Sequence, residues 1–307
     1  MKHSKIGIIG AGFVGSTTAY ALLLQNIAAE IILIDINEIR CRGEILDLSD
    51  AIPSDGASQI RAGNAQDAAQ ADIIIIAAGK PQKINESRTE LLNANIQIVE
   101  SVFAEIKPIN PQAIVIIITN PVDLITYHAQ KISGLPRNQI FGSGTFLDTQ
   151  RLCTIVAHKL HVSEKSVDAY ILGEHGDSQF AAWSSAKIGG IPVADFSELT
   201  AQDLEAMATE VRDKAYEIIS CKGATYYGIA TCVAQMCKAI IFDQKLVLPL
   251  STYNEQFNVC LSMPVVLREN GIEKILPIPL SDNEQKKFAE SAKQLRQFLN
   301  ANIINFE

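Results

Sequence analysis

The chain has 307 residues, 48% of them apolar, which suggests one or two domains and supplies ample material for a large core. Its formal net charge of −8, dispersed and without an acidic tail, argues against nucleic acid or an anionic membrane as the main partner. Six cysteines (Cys41, Cys153, Cys221, Cys232, Cys237, Cys260) show neither a CxxC pair nor a regular spacing, so reduced, buried thiols in a reducing compartment are expected, with no metal site.

The first predicted strand is Lys5-Ile6-Gly7-Ile8-Ile9, and it leaves no room ahead of it for a signal or transit peptide. Gly10-Ala11-Gly12-Phe13-Val14-Gly15 follows, then a helical stretch from Ser16 to Leu24. A second apolar run, Ile31-Ile32-Leu33-Ile34, stops at Asp35, twenty residues beyond Gly15. Strand, glycine turn, helix and spaced acid each have a task in holding a dinucleotide. Gly10 turns the chain out of the strand, and Gly12, lacking a Cβ, lets a pyrophosphate approach the unpaired amides of a helix N-terminus. Gly15 allows the helix to lie close on the strand. Asp35 accepts hydrogen bonds from the ribose hydroxyls and repels a 2′-phosphate, which favours NAD over NADP.

Asn37 caps a helix running through Leu48, Pro53-Ser54-Asp55-Gly56 is a turn, and a weak strand lies near residues 58–62. Ile73-Ile74-Ile75-Ile76 and the run 113–118 are continuous apolar strands of the kind found in parallel sheets covered on both faces. A helix of period 3.6 spans 90–106, another follows Pro121, and Ile140-Phe141-Gly142 closes the alternation. The longest apolar runs are strand-length, too short to span a bilayer. The expectation is an α/β fold: a doubly wound parallel (Rossmann) sheet over residues 1–142, followed by an α+β substrate domain over 143–307. In the second part the pattern predicts a helix over 147–160, β-like segments near 168–172 and 180–188, and helices near 202–219 and 225–242. A β-rich stretch over 246–266 and an amphipathic helix over 283–300 complete it. No linker separates the halves, so the site is expected between them.

Ligands of such sheets bind beyond the carboxyl ends of the strands, where two loops carry unusual polar content. One runs from Gly79 to Arg88 and reads either as a lid or as a solvated charged loop. The other is Thr119-Asn120-Pro121, where Asn120 serves a ligand or caps the next helix. Further on, Asp148 and Arg151 stand three apart on one helix face, a spacing that also suits a local ion pair. His175 sits in Gly173-Glu174-His175-Gly176-Asp177, directly after a strand. The remaining histidines, His3, His128, His158 and His161, read as surface residues.

Ala78-Gly79 through Arg88, Thr119-Asn120-Pro121-Val122-Asp123, Leu147-Asp148-Thr149-Gln150-Arg151 and Gly173-Glu174-His175-Gly176-Asp177-Ser178 resemble the L-lactate/malate dehydrogenase family in order and spacing, over essentially the whole chain. The resemblance implies hydride transfer between NADH and a 2-oxo acid, with His175 as proton donor and acceptor and Asp148 holding its imidazole. It implies that Arg151 grips the substrate carboxylate, that Arg88, carried by a closing loop, polarises the carbonyl, that Asn120 hydrogen-bonds it, and that the Asn120-Pro121 bond is cis as in relatives. The resemblance implies that Phe13, Val14, Ala78, Gly79, Asn120 and Ile229 join Gly10, Gly12, Gly15 and Asp35 at the cofactor. Gln82 stands at the lid position where malate enzymes carry arginine, and a neutral amide suits the methyl group of pyruvate. Lys222-Gly223-Ala224-Thr225-Tyr226-Tyr227-Gly228-Ile229 also resembles the lactate branch, with Thr225 lining the small-substituent pocket.

The lid departs from the family pattern, reading Lys83-Ile84-Asn85-Glu86 where relatives have Lys-Pro-Gly-Glu. Cys153 and Asp168 occupy the two positions that hold fructose 1,6-bisphosphate in activated bacterial forms, so no such activation is expected. The resemblance further implies a cytoplasmic homotetramer. Rival expectations are a dehydrogenase for another 2-hydroxy acid, such as hydroxyisocaproate or malate, and a catalytically idle binding relative that would lack one of the four charged site residues.

Overall fold

The computed structural model describes residues 4–80 and 88–302, excepting the side chains of Arg88 and Asn302. The first half alternates: β1 (Lys5–Ile9), α1 (Phe13–Leu24), β2 (Glu30–Ile34), α2 (Glu38–Asp50), β3 (Gln59–Ala62), α3 (Ala65–Ala69), β4 (Ile73–Ile76), α4 (Arg88–Glu105), β5 (Ile114–Ile117), α5 (Val122–Ile132) and β6 (Ile140–Gly142). These six strands are parallel in the order β6-β5-β4-β1-β2-β3. Growth of the sheet changes direction between β1 and β4, and a doubly wound sheet opens its ligand crevice at that switch point.

The isoleucine runs are continuous because helices cover both faces of the sheet. Ile73 and Ile75 enter one core with Ala19, Leu22 and Leu23 of α1, while Ile74 and Ile76 enter the other with Leu92, Val99 and Phe103 of α4. Each fully buried isoleucine contributes about 1.5–3 kcal/mol relative to exposure. The caps follow the sequence. Asn37 Oδ1 accepts the Arg40 N–H at 3.0 Å, and Asn64 with Asp67 forms a capping box on the short α3.

The second half comprises α6 (Phe146–Leu160), β7 (Val167–Asp168), β8 (Ile171–Leu172), β9 (Phe180–Ala181), β10 (Lys187–Ile188), β11 (Ile191–Pro192), α7 (Ala201–Lys222), α8 (Tyr227–Ile241), β12 (Leu246–Asn254), β13 (Val259–Arg268), β14 (Gly271–Ile275) and α9 (Asp282–Asn302). Two features differ from the sequence reading. The β-like segment over 180–188 is interrupted by a 3-10 turn at Trp183–Ser185. The antiparallel strands β12, β13 and β14 also join the parallel sheet through Ser251 opposite Gly142, giving nine strands. The sheet therefore runs across the division expected after Gly142.

His128 corrects an expectation. It is fully buried rather than on the surface, because α5 is covered by α4 on one side and by β13 and α9 on another. Its Nε2 lies 3.0 Å from Glu100 Oε1. Burial lowers its pKa, against the opposing charge of Glu100, which favours the neutral ring. All six cysteines are unpaired thiols, but Cys221 is exposed rather than buried. Among the described residues no helix is long and apolar enough to cross a membrane.

Candidate active site

The glycine loop leaves β1 at the switch point. Gly10 has φ +107°, and a Cβ there would fall 2.6 Å from the Ala78 nitrogen, so only glycine fits. A Cβ on Gly15 would collide with the Gly10 carbonyl oxygen. At Gly12, by contrast, nothing among the described residues lies within 4 Å of the Cβ position, and none of their side chains caps α1. The N-terminus of α1 thus has room at Gly12 and no side-chain cap, a fit for the pyrophosphate of a dinucleotide.

Asp35 follows β2, its carboxylate oriented by the backbone. Oδ2 accepts the Ala11 N–H at 2.7 Å and Oδ1 accepts the Asn37 N–H at 2.8 Å. These bonds fasten the glycine loop to the end of β2. Ala78 and Gly79 follow β4, where Thr119 Oγ1 donates to the Ala78 carbonyl at 2.7 Å. Phe13 stacks on Tyr226 with ring centroids 5.3 Å apart, bringing the start of α8 beside the loop. Ile229 packs against the same core as Val14, and Thr225 is half-buried in the turn before α8.

His175, Asp148 and Arg151 come together at the junction of the halves. The start of α6 is fixed by two buried bonds: the Thr145 N–H donates to Ser262 Oγ at 3.0 Å, and Thr145 Oγ1 donates to the Ile171 carbonyl at 2.5 Å. Gly173, at φ +90°, pairs with Ser262 and turns the chain into the histidine loop. His175 Nδ1 then meets Asp148 Oδ2 at 2.7 Å, and Arg151 Nη1 donates to Asp148 Oδ1 at 3.0 Å. The side chains of Asp148, Arg151 and His175 are 3%, 10% and 29% exposed, so the ring is the member most open to a substrate. The local ion pair of Asp148 with Arg151 is therefore present, and it is part of a larger constellation.

Burial on its own would lower the His175 pKa, but the charge and hydrogen bond of Asp148 outweigh it, and the net shift is upward. Asp148 is pushed up by burial, yet His175 and Arg151 bring it below the usual carboxylate range. Together these shifts favour imidazolium beside carboxylate.

Asn120 and Pro121 line the same cavity, of about 350 Å³, as Asp148 and His175, and the Asn120-Pro121 bond is cis. Asn120 Oδ1 accepts the Val122 N–H at 3.3 Å, so its capping role coexists with a place on the cavity wall. Gln82 lies outside the described residues. Arg88 begins α4, but its side chain also lies outside them.

Two polar residues escaped the sequence reading. Buried Asn95 on α4 accepts the Lys80 N–H at 2.7 Å and donates to the Asn120 carbonyl at 2.7 Å, joining the base of the predicted lid to the cavity wall. Buried Asp123 accepts the backbone N–H of His175 at 2.7 Å. Nothing in the helical pattern marks either one. Only their apolar surroundings show that a polar side chain there must have a partner.

Cys153 Sγ lies 3.6 Å from the Val167 carbonyl, and its thiol is raised to about 11, chiefly by burial. Asp168 is exposed. Neither residue supplies a cation for a phosphate.

The chain matches two family models: "lactate/malate dehydrogenase, NAD binding domain" over residues 4–142, and "lactate/malate dehydrogenase, alpha/beta C-terminal domain" over residues 145–304. It is 44% identical to L-lactate dehydrogenase A of Rhizopus oryzae over 96% of this chain and 92% of that protein. It is 43% identical to L-lactate dehydrogenase of Lacticaseibacillus casei, over 97% and 94% of the two chains. The ligand-bound crystal structure of minor L-lactate dehydrogenase from Enterococcus mundtii superposes with a TM-score of 0.95 at 35% identity, covering 100% of both chains.

Proposed function

The chain belongs to the lactate/malate dehydrogenase family, and on that basis we propose how its site divides the work of the reaction. The protein is an NAD-dependent oxidoreductase with L-lactate dehydrogenase activity. In this reading pyruvate and L-lactate are its substrates. The bound nicotinamide supplies or accepts a hydride at C2 of the substrate.

The observation that carries the residue assignment is the bridge of Asp148 between His175 and Arg151 on a cavity shared with Asn120. Hydride arrival at a ketone leaves an alkoxide unless a proton arrives in step. Imidazolium at His175 supplies it from Nε2, because Nδ1 is committed to Asp148. In the reverse direction the neutral ring takes the hydroxyl proton. Arg151 spends Nη1 on Asp148, and its planar fork carries further donors for the substrate carboxylate. Asn120 and Arg88 polarise the carbonyl, Gln82 and Thr225 bound the pocket for a methyl group, and closure of the lid excludes water. At the cofactor we assign Gly10, Gly12, Phe13, Val14, Gly15, Asp35, Ala78, Gly79, Asn120 and Ile229. The organisation is a dinucleotide-binding part over 1–142 and a substrate part over 143–307.

We further place the protein in the cytoplasm, a reading supported by its unpaired cysteines. We read it as a homo-oligomer, a tetramer. Ile39 and Leu46 on α2 and Tyr20 and Leu24 on α1 are exposed, as expected of apolar surface covered by another copy. Light scattering after size exclusion checks this.

The decisive experiment measures steady-state NADH oxidation with pyruvate, oxaloacetate and 2-oxoisocaproate side by side. Pyruvate gives the highest kcat/KM. A higher value for either of the others overturns the substrate assignment.

A further inference from the structure

We infer that Asp123 is a positioning residue for the proton carrier: a buried carboxylate from the other half of the molecule that holds the backbone of His175. This rests on the reading of His175 as the proton carrier.

Asp123 is the second residue of α5, in the dinucleotide-binding half, and it is 2% exposed. Its Oδ2 accepts the His175 N–H at 2.7 Å, and its Oδ1 accepts the Ser251 hydroxyl at 2.6 Å. Ser251 is fully buried on β12 and faces Gly142 where the antiparallel strands join the parallel sheet. One carboxylate thus ties together α5, β12 and the loop that carries His175. Burying it is costly unless it is hydrogen-bonded, and these two donors meet that need.

Among the described residues, the charged groups that act most on the ring are Asp148 and Arg151 from α6 and Asp123 from α5. Asp177 and Arg212 line the same cavity, while Glu174 accepts from Ser178 Oγ at 2.5 Å. Against burial and against Arg151, the charge of Asp123 adds to that of Asp148 in favouring imidazolium. Asp148 therefore fixes the ring from Nδ1, and Asp123 fixes the backbone from which the ring projects. The ring's position and charge are set from both halves of the molecule at once.

The test uses Asp123→Asn, Ser251→Ala and His175→Gln in the full-length enzyme. Asp123→Asn keeps the shape and an acceptor for the His175 N–H, and the Ser251 hydroxyl can rotate to accept from the new amide, so mainly the charge is lost. The pH at which pyruvate reduction falls moves lower, so on that falling limb turnover drops below wild type. The KM for pyruvate and the Kd for NADH, measured by fluorescence titration, stay at wild-type values. Ser251→Ala removes the hydroxyl while keeping the charge, so kcat falls at every pH and the falling limb stays in place. An unmoved limb in Asp123→Asn overturns the inference. If Asp123→Asn does not fold, wild-type kcat in Ser251→Ala overturns it. His175→Gln separates the two levels: a retained wild-type pH profile there defeats the reading of His175 itself, whatever the other variants do.

Discussion

Asp148→Asn gives the most direct test of the proton-handling group. The wild-type carboxylate is 3% exposed, with His175 Nδ1 at 2.7 Å and Arg151 Nη1 at 3.0 Å. The amide fills the same volume but offers imidazolium a neutral partner. Losing one hydrogen bond to a charged group costs about 1.5–3 kcal/mol, or roughly ten- to 150-fold in kcat/KM. The sign follows from the upward shift of His175. With His175 as the proposed proton carrier, pyruvate reduction uses the protonated ring, so it runs below the His175 pKa and is lost as pH rises through it. Lactate oxidation uses the neutral ring and is lost as pH falls. Removing the Asp148 charge lowers that pKa, so reduction fades from a lower pH while oxidation extends to lower pH. The assay is kcat/KM against pH in both directions, wild type beside variant. Profiles that superimpose, with kcat/KM within about threefold of wild type, would remove Asp148 from the role.

The remaining predictions concern other parts of the site. His175→Ala loses the proton carrier, and kcat falls by at least ~10²-fold, the low end for general acid–base catalysis; full activity in the variant refutes the assignment. Gln82→Arg offers a cation to the second carboxylate of oxaloacetate and strands it before pyruvate. Because an unpartnered buried charge costs roughly 3–5 kcal/mol, the oxaloacetate-to-pyruvate ratio of kcat/KM rises about two to three and a half orders of magnitude; a change under about tenfold refutes a substrate-facing Gln82. Millimolar fructose 1,6-bisphosphate leaves pyruvate saturation unchanged, since Cys153 is turned to backbone carbonyls and Asp168 repels phosphate. Asp35→Ser removes a charge that repels a 2′-phosphate, and the NADH-to-NADPH ratio of kcat/KM falls; an unchanged ratio places the ribose elsewhere.

Much of the fold is legible where local pattern and global packing agree. The first strand, glycine turn and helix, the isoleucine runs at 73–76 and 114–117, and the Asn37 cap appear as read, because each is decided by neighbours in sequence. What escaped depends on distant chain. His128 and Asp123 look like an outer polar face until β12, β13 and α9, more than a hundred residues later, cover α5. β14 is a five-residue strand with three exposed positions, too weakly apolar to announce itself. Likewise, the joining of β12 to β6 rests on the pairing of Ser251 with Gly142, which no periodicity encodes. For the site, motif spacing supplied the charged residues. Their supports, Asn95, Thr145, Ser251 and Ser262, carry common side chains whose meaning arises only from what they face.

The pairing of β12 with β6 also bears on how the chain is made. During synthesis from the N-terminus the six parallel strands emerge first, and β6 is then an open edge of the sheet. Its partner Ser251 leaves the ribosome 109 residues after Gly142 (251 − 142). At roughly 5–20 residues per second the edge therefore waits about 5–20 s for its neighbour. A long exposed edge in that interval would be a template for pairing with another nascent chain. β6 is only three residues long, Ile140–Gly142, and offers little such template. Its brevity protects the unfinished sheet until residues of the second half close it.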